Sequence, residues 1–104
     1  MVRYDVRHAE PAEDDLVDLL RYVAVELEEP SVALRLLEAM DRAIESLAVM
    51  PHRCPPVDDE YLAEMGYRKL HIKNYLAFFT IDEETKTVYV ERILYARRDW
   101  LHIL

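Results

Sequence analysis

The spacing of apolar side chains changes character twice along the chain. Val2, Tyr4 and Val6 alternate with Arg3, Asp5 and Arg7, the period of a strand with one buried face, and predict a first strand of about six residues. Leu16, Leu19, Leu20, Val23 and Leu27 then recur at helical spacing behind Pro11, which suits a first helical turn, and Glu13, Asp14 and Asp15, which favour its positive dipole end. Glu28-Glu29-Pro30 breaks that helix. Ala33, Leu36, Leu37, Met40, Ile44 and Leu47 form a second stripe, ended by Pro51, so the two helices read as a hairpin with a short connection.

Residues 52–64, with Pro55, Pro56 and the acidic run Asp58-Asp59-Glu60, read as a long loop. From Gly66 the period becomes two. Arg68, Leu70 and Ile72 are expected on one face of a strand, with Tyr67, Lys69, His71 and Lys73 on the other. Asn74 is the expected positive-φ turn residue, and YLAFFTI is apolar on both faces, as a central strand is. A polar hairpin at 82–86 leads to TVYVERILY, where strict alternation puts Val88, Val90, Arg92 and Leu94 together and Tyr89, Glu91, Ile93 and Tyr95 opposite. A terminal turn or short helix after Arg98 would be anchored by Trp100 and Leu101. The order β-α-α-β-β-β implies a single α+β domain over residues 1–104, with the helical hairpin on one face of an antiparallel sheet and the other face free.

Composition narrows the chemistry. The only glycine is Gly66, which excludes a P-loop and a dinucleotide fingerprint, so no cofactor is expected. The single Cys54 allows no internal disulfide, and the four histidines lack paired ligand spacing, so no metal site is expected either. No run approaches the ~20 apolar residues of a membrane span, and the N-terminus lacks a signal-peptide core; the chain reads as cytoplasmic, unprocessed and without a membrane partner. The net charge of −8 argues against a general nucleic-acid binder. The charge is uneven, however: residues 1–64 carry 16 acidic and 6 basic side chains, whereas residues 65–104 carry 5 and 7. A basic face on the C-terminal part remains open.

The element order, together with Gly66-Tyr67-Arg68, Asn74-Tyr75-Leu76 and the segment from Arg92 to Trp100, resembles the RelE/ParE superfamily of bacterial type II toxins across nearly the whole chain. Asp15-Leu16, Tyr22-Val23, Pro30 and Met50-Pro51 are similar to it in the helical half. The resemblance implies a plasmid-stabilisation type of toxin, neutralised by a cognate antitoxin. Its RelE-like branch cuts mRNA in the ribosome and arrests translation; its ParE-like branch poisons DNA gyrase. A repurposed member would act only as an interaction module.

If the activity is RNA cleavage, attack of a 2′-hydroxyl on the adjacent phosphate demands cations and a proton-transfer group. The resemblance then nominates Arg68, Arg98 and His102 as catalytic and Arg97 as holding substrate, and strand alternation adds Lys69, His71 and Lys73 as a substrate-binding basic patch on one face. The competing readings are a sheet-edge salt bridge for Arg68, capping or an Asp99 pair for Arg97 and Arg98, and an exposed strand face for His71 and the lysines. Tyr95 reads as packing, or as a surface for the antitoxin. Asp58, Asp59, Glu60 and Glu64 set acid where the nucleases carry lysine, which weakens the RNA-cutting reading. The sequence ranks mRNA cleavage slightly ahead of gyrase inhibition.

Overall fold

A computed structural model describes residues 2–104. Four strands form one sheet in the order β1-β4-β3-β2. They are β1 (Asp5–His8), β2 (Arg68–Ile72), β3 (Tyr75–Asp82) and β4 (Thr87–Tyr95). The last three make the expected antiparallel meander, while β1 runs parallel to β4. β1 starts later than the alternation predicts. Tyr4 donates its backbone N–H to Ala48 (2.8 Å) and Arg3 bridges Val49, so these two residues pair with the chain beyond the second helix instead of with β4.

Helix α1 (Glu10–Arg21) runs into a π-helical turn, Tyr22–Glu26, and α2 (Pro30–Glu45) returns antiparallel to it. The π-turn widens the spiral and rotates the residues after it out of the predicted stripe. Leu27, expected in the core, is therefore half exposed. On α2, Ala33, Leu36, Met40 and Ile44 are buried as their spacing predicts. The chain just beyond it is held by Arg53, whose Nη1 donates to the carbonyls of Val49 (2.9 Å) and Met50 (3.2 Å), while its Nη2 donates to the Ser46 hydroxyl (2.7 Å).

The loop expected at 52–64 contains a short helix, α3 (Glu60–Glu64). Asp59 in the acidic run is its N-cap, accepting from the Leu62 N–H at 3.0 Å. Gly66 (φ +94°) ends it: the Gly66 N–H donates to Ala63 and the Tyr67 N–H to Leu62, the paired bonds of a Schellman motif. The glycine is thus a helix stop as well as the approach to β2. In the β2–β3 turn the positive φ falls on Lys73 (+54°) and not on Asn74, since a two-residue turn of this kind places it at the first central position.

Strict alternation also fails in β4. Phe78 pairs with Arg92 but Phe79 pairs with Val90, so Glu91 is an extra residue, a β-bulge. Beyond the bulge the two faces exchange. Val88, Val90 and Ile93 pack under the helices, whereas Leu94 joins the opposite face. That opposite face is not free: Val57, Leu62, Leu76, Phe78 and Leu94 form a second core, covered by Tyr67, Trp100, Ile103 and Leu104. Trp100 lies 5.1 Å from the Phe78 ring. Leu101 is half exposed, so the terminal 3-10 turn, Trp100–His102, is anchored by Trp100, Ile103 and Leu104 instead.

Candidate functional site

The cations nominated from sequence are spread over the sheet. Arg68 shares the helix-side parity of Leu70 and Ile72, and its Nη1 donates to the backbone carbonyls of Cys54 (2.6 Å) and His52 (3.3 Å). Lys69, on the opposite face, pairs with Asp58 at 3.2 Å and its side chain is only 20% exposed. His71 is exposed on that same face, while Lys73 leaves it because it occupies the turn. Arg97 and Arg98 follow β4 and are exposed. Since Arg68 is level with Phe79 and Tyr95 is level with Tyr75, Arg68 and the end of β4 are separated by about 13 Å along the strands. His102 contacts Asp99 at 3.4 Å and is largely exposed. Arg97 and Arg98 therefore leave the sheet at the end away from Arg68, while the terminal turn that carries His102 packs back over Phe78, the strand partner of Lys69.

Cys54 is buried, and burial pushes its thiol above the ordinary value against the opposing pull of Arg53 and Arg68. A thiol held protonated is a poor nucleophile. Among the described residues no group of three or more acidic, histidine or cysteine side chains is placed to hold a metal ion.

A concavity lies elsewhere, between the end of α1 and the end of the sheet. This groove of about 540 Å³ is lined by Asp18, Tyr22, Leu27, Tyr75, Tyr95 and Arg98, with Asp15 and Ile93 at its base. Tyr75 and Tyr95, paired across β3 and β4, meet edge to face with centroids 5.8 Å apart. Burial, with the neighbouring phenols of Tyr95 and Tyr22, raises the Tyr75 hydroxyl above its ordinary pKa, so it stays a neutral donor. The wall is held by a pair from α1 and β4: Arg92 donates through Nε to Asp15 Oδ2 (2.7 Å) and through Nη2 to Oδ1 (2.8 Å), and the Ile93 N–H donates to the same carboxylate (2.9 Å). Its hydrogen bond to Asp15 holds the Arg92 guanidinium above its ordinary pKa.

Of the nominated residues, Arg98 lines this groove. Sequence reading missed Tyr22, Leu27 and Tyr75 as surface groups. The signal for Asp15 was legible, because it sits beside the apolar stripe of α1 and a carboxylate facing a core requires a partner. The groove itself depends on the π-turn and the bulge, which alternation does not reveal.

Residues 6–100 match the sequence model of the ParE toxin of the type II toxin–antitoxin system parDE. Among solved structures, the fold is similar to the chromosomal ParDE toxin–antitoxin system of P. aeruginosa (TM-score 0.75, 18% identity, 93% of this chain and 100% of that one). It is also similar to the RelBE2 toxin–antitoxin complex of Mycobacterium tuberculosis (TM-score 0.63, 26% identity, 91% and 93%). A third likeness is to the archaeal RelE–RelB complex of Pyrococcus horikoshii OT3 (TM-score 0.51, 13% identity, 94% and 99%). No curated protein sequence matches significantly. With a family match that spans nearly all of its length, on a helical hairpin packed against a four-stranded sheet, the chain belongs to the ParE toxin family of type II toxin–antitoxin systems.

Proposed function

We propose that this toxin acts by binding a protein target, DNA gyrase, and that it is neutralised by a cognate antitoxin. The observation that carries the choice of target is that the cations nominated on β2 are already paired. RNA cleavage needs phosphate-binding and proton-transferring groups within reach of one phosphorus. Here the Arg68 guanidinium is committed to two main-chain carbonyls, and Lys69 is committed to Asp58. The strand register sets Arg68 apart from the end of β4, after which Arg97 and Arg98 follow. The net charge of −8 opposes approach to ribosomal RNA, while a protein-binding toxin makes no such demand. Family membership favours the same branch, and the similar RelBE2 and RelE–RelB structures are of toxins in complex with antitoxins.

Expression in bacteria with and without the neighbouring small reading frame tests this reading. The expected result is growth arrest in its absence, with DNA supercoiling lost before translation falls, and rescue when the neighbour is supplied. Arrest with cleaved mRNA and intact supercoiling would overturn the target assignment. No arrest would leave the chain as an interaction module.

A further inference from the structure

Glu10, Asp14 and Asp18 recur every fourth residue along α1, which sets them in one row on the helix surface, and the next member of that row is Tyr22. All four are exposed. Among the described residues none of the three carboxylates is in an ion pair, while their neighbour Asp15 is spent on Arg92. The row runs into the groove, where Asp18 and Tyr22 stand beside Leu27, Tyr75 and Tyr95. At its other end Glu10 and Asp14 border a shallow depression next to Arg92.

We infer that the tyrosine groove and the acidic row form one docking surface for a segment of the antitoxin, with apolar side chains set among Tyr22, Tyr75 and Tyr95 and with lysines or arginines along Asp18, Asp14 and Glu10. The inference rests on the antitoxin reading above. Its apolar half follows from exposure: Tyr22, Leu27 and Tyr95 are 54, 51 and 43% exposed and line a single concavity, a grouping that marks a binding site on a small protein. Its basic half follows from charge. A second copy of this chain would bring another −8 against the row, and nucleic acid would bring phosphate, so both are repelled. A basic peptide is drawn in. Four helical residues rise about 6 Å, so the carboxylates match basic residues at i and i+4 of a docked helix, or at i and i+2 of an extended segment.

The test is the affinity of the purified toxin for the product of the neighbouring small reading frame, measured by titration calorimetry at about 50 and 200 mM salt. Wild-type affinity is expected to fall with salt. Asp14→Asn combined with Asp18→Asn should weaken binding about tenfold at low salt and flatten the salt dependence, and Tyr22→Ala should weaken it about tenfold at both. Tyr61→Ala, and Glu60→Gln with Glu64→Gln, remove the same chemistry from α3 and should change affinity less than about twofold. Thermal melting verifies that the exposed-site variants stay folded. Groove and row variants that bind like wild type overturn the docking surface and leave the antitoxin reading standing. A salt-independent wild-type affinity overturns the basic half. A wild-type chain that does not bind overturns the antitoxin reading and the inference with it.

Discussion

Asp15 and Arg92 are 77 positions apart and form a two-pronged ion pair, with contacts of 2.7 and 2.8 Å, one residue past the bulge in β4. Their side chains are 12 and 25% exposed, and the same carboxylate also takes the Ile93 N–H. One side chain thus fixes α1 against the strand at the point where the sheet changes face. Replacing Asp15 by Ala leaves a half-buried guanidinium and a backbone donor unpaired, at a cost of about 2–4 kcal/mol. Chemical denaturation of Asp15→Ala checks this, and adding Arg92→Met to it should recover part of the loss, because the double variant removes the charge along with its partner.

Arg68 and Arg98 should separate stability from surface function. Arg68→Ala frees the carbonyls of His52 and Cys54 and is expected to lose about 1–3 kcal/mol. Arg98→Ala should fall within about 0.5 kcal/mol of wild type. If Arg68→Ala is as stable as wild type but inactive, its guanidinium serves the target and not the 52–54 loop.

Glu83 predicts an acid-sensitive contact. It accepts from Lys86 Nζ (2.6 Å) and the Tyr4 hydroxyl (2.9 Å), with His52 Nε2 at 2.9 Å. The Lys86 and Tyr4 hydrogen bonds, aided by the Lys86 and His52 charges, hold its carboxyl below the usual range against a smaller opposing effect of burial. A carboxyl depressed in the folded state contributes stability above its unfolded pKa of about 4.3 and loses it as pH falls through the lower folded value. The melting temperature of wild type should therefore fall more steeply below about pH 4.3 than that of Glu83→Gln. Parallel profiles would remove Glu83 from the acid response.

Trp100 closes the face that alternation leaves open. Trp100→Ala uncovers Phe78, which is fully buried, and should cost about 2–3 kcal/mol with new binding of a hydrophobic dye. Unchanged stability would mean that Ile103 and Leu104 cover that core without it.

Periodicity carried the two long helices, which bury one stripe each, a run apolar on both faces marked β3, and the family resemblance drew on the order of the elements. The features that shape the site were hidden for identifiable reasons. The bulge at Glu91 reverses the faces of β4 without changing its composition, so Leu94 and Ile93 exchange places. The π-turn at Tyr22–Glu26 keeps a helical composition while moving Leu27 outward. Asp59 and Gly66 carry standard cap signals for α3, but five residues between prolines and acids leave no stripe to reveal the helix. For Arg68 the residue was singled out while its partners, two backbone carbonyls, leave no trace in side-chain pattern.

The most direct measurement of the proposed target adds the purified toxin to DNA gyrase with relaxed plasmid and, separately, to a reconstituted translation reaction. Inhibited supercoiling with intact mRNA is the predicted result; mRNA cut in the translating ribosome, with gyrase unaffected, would contradict it.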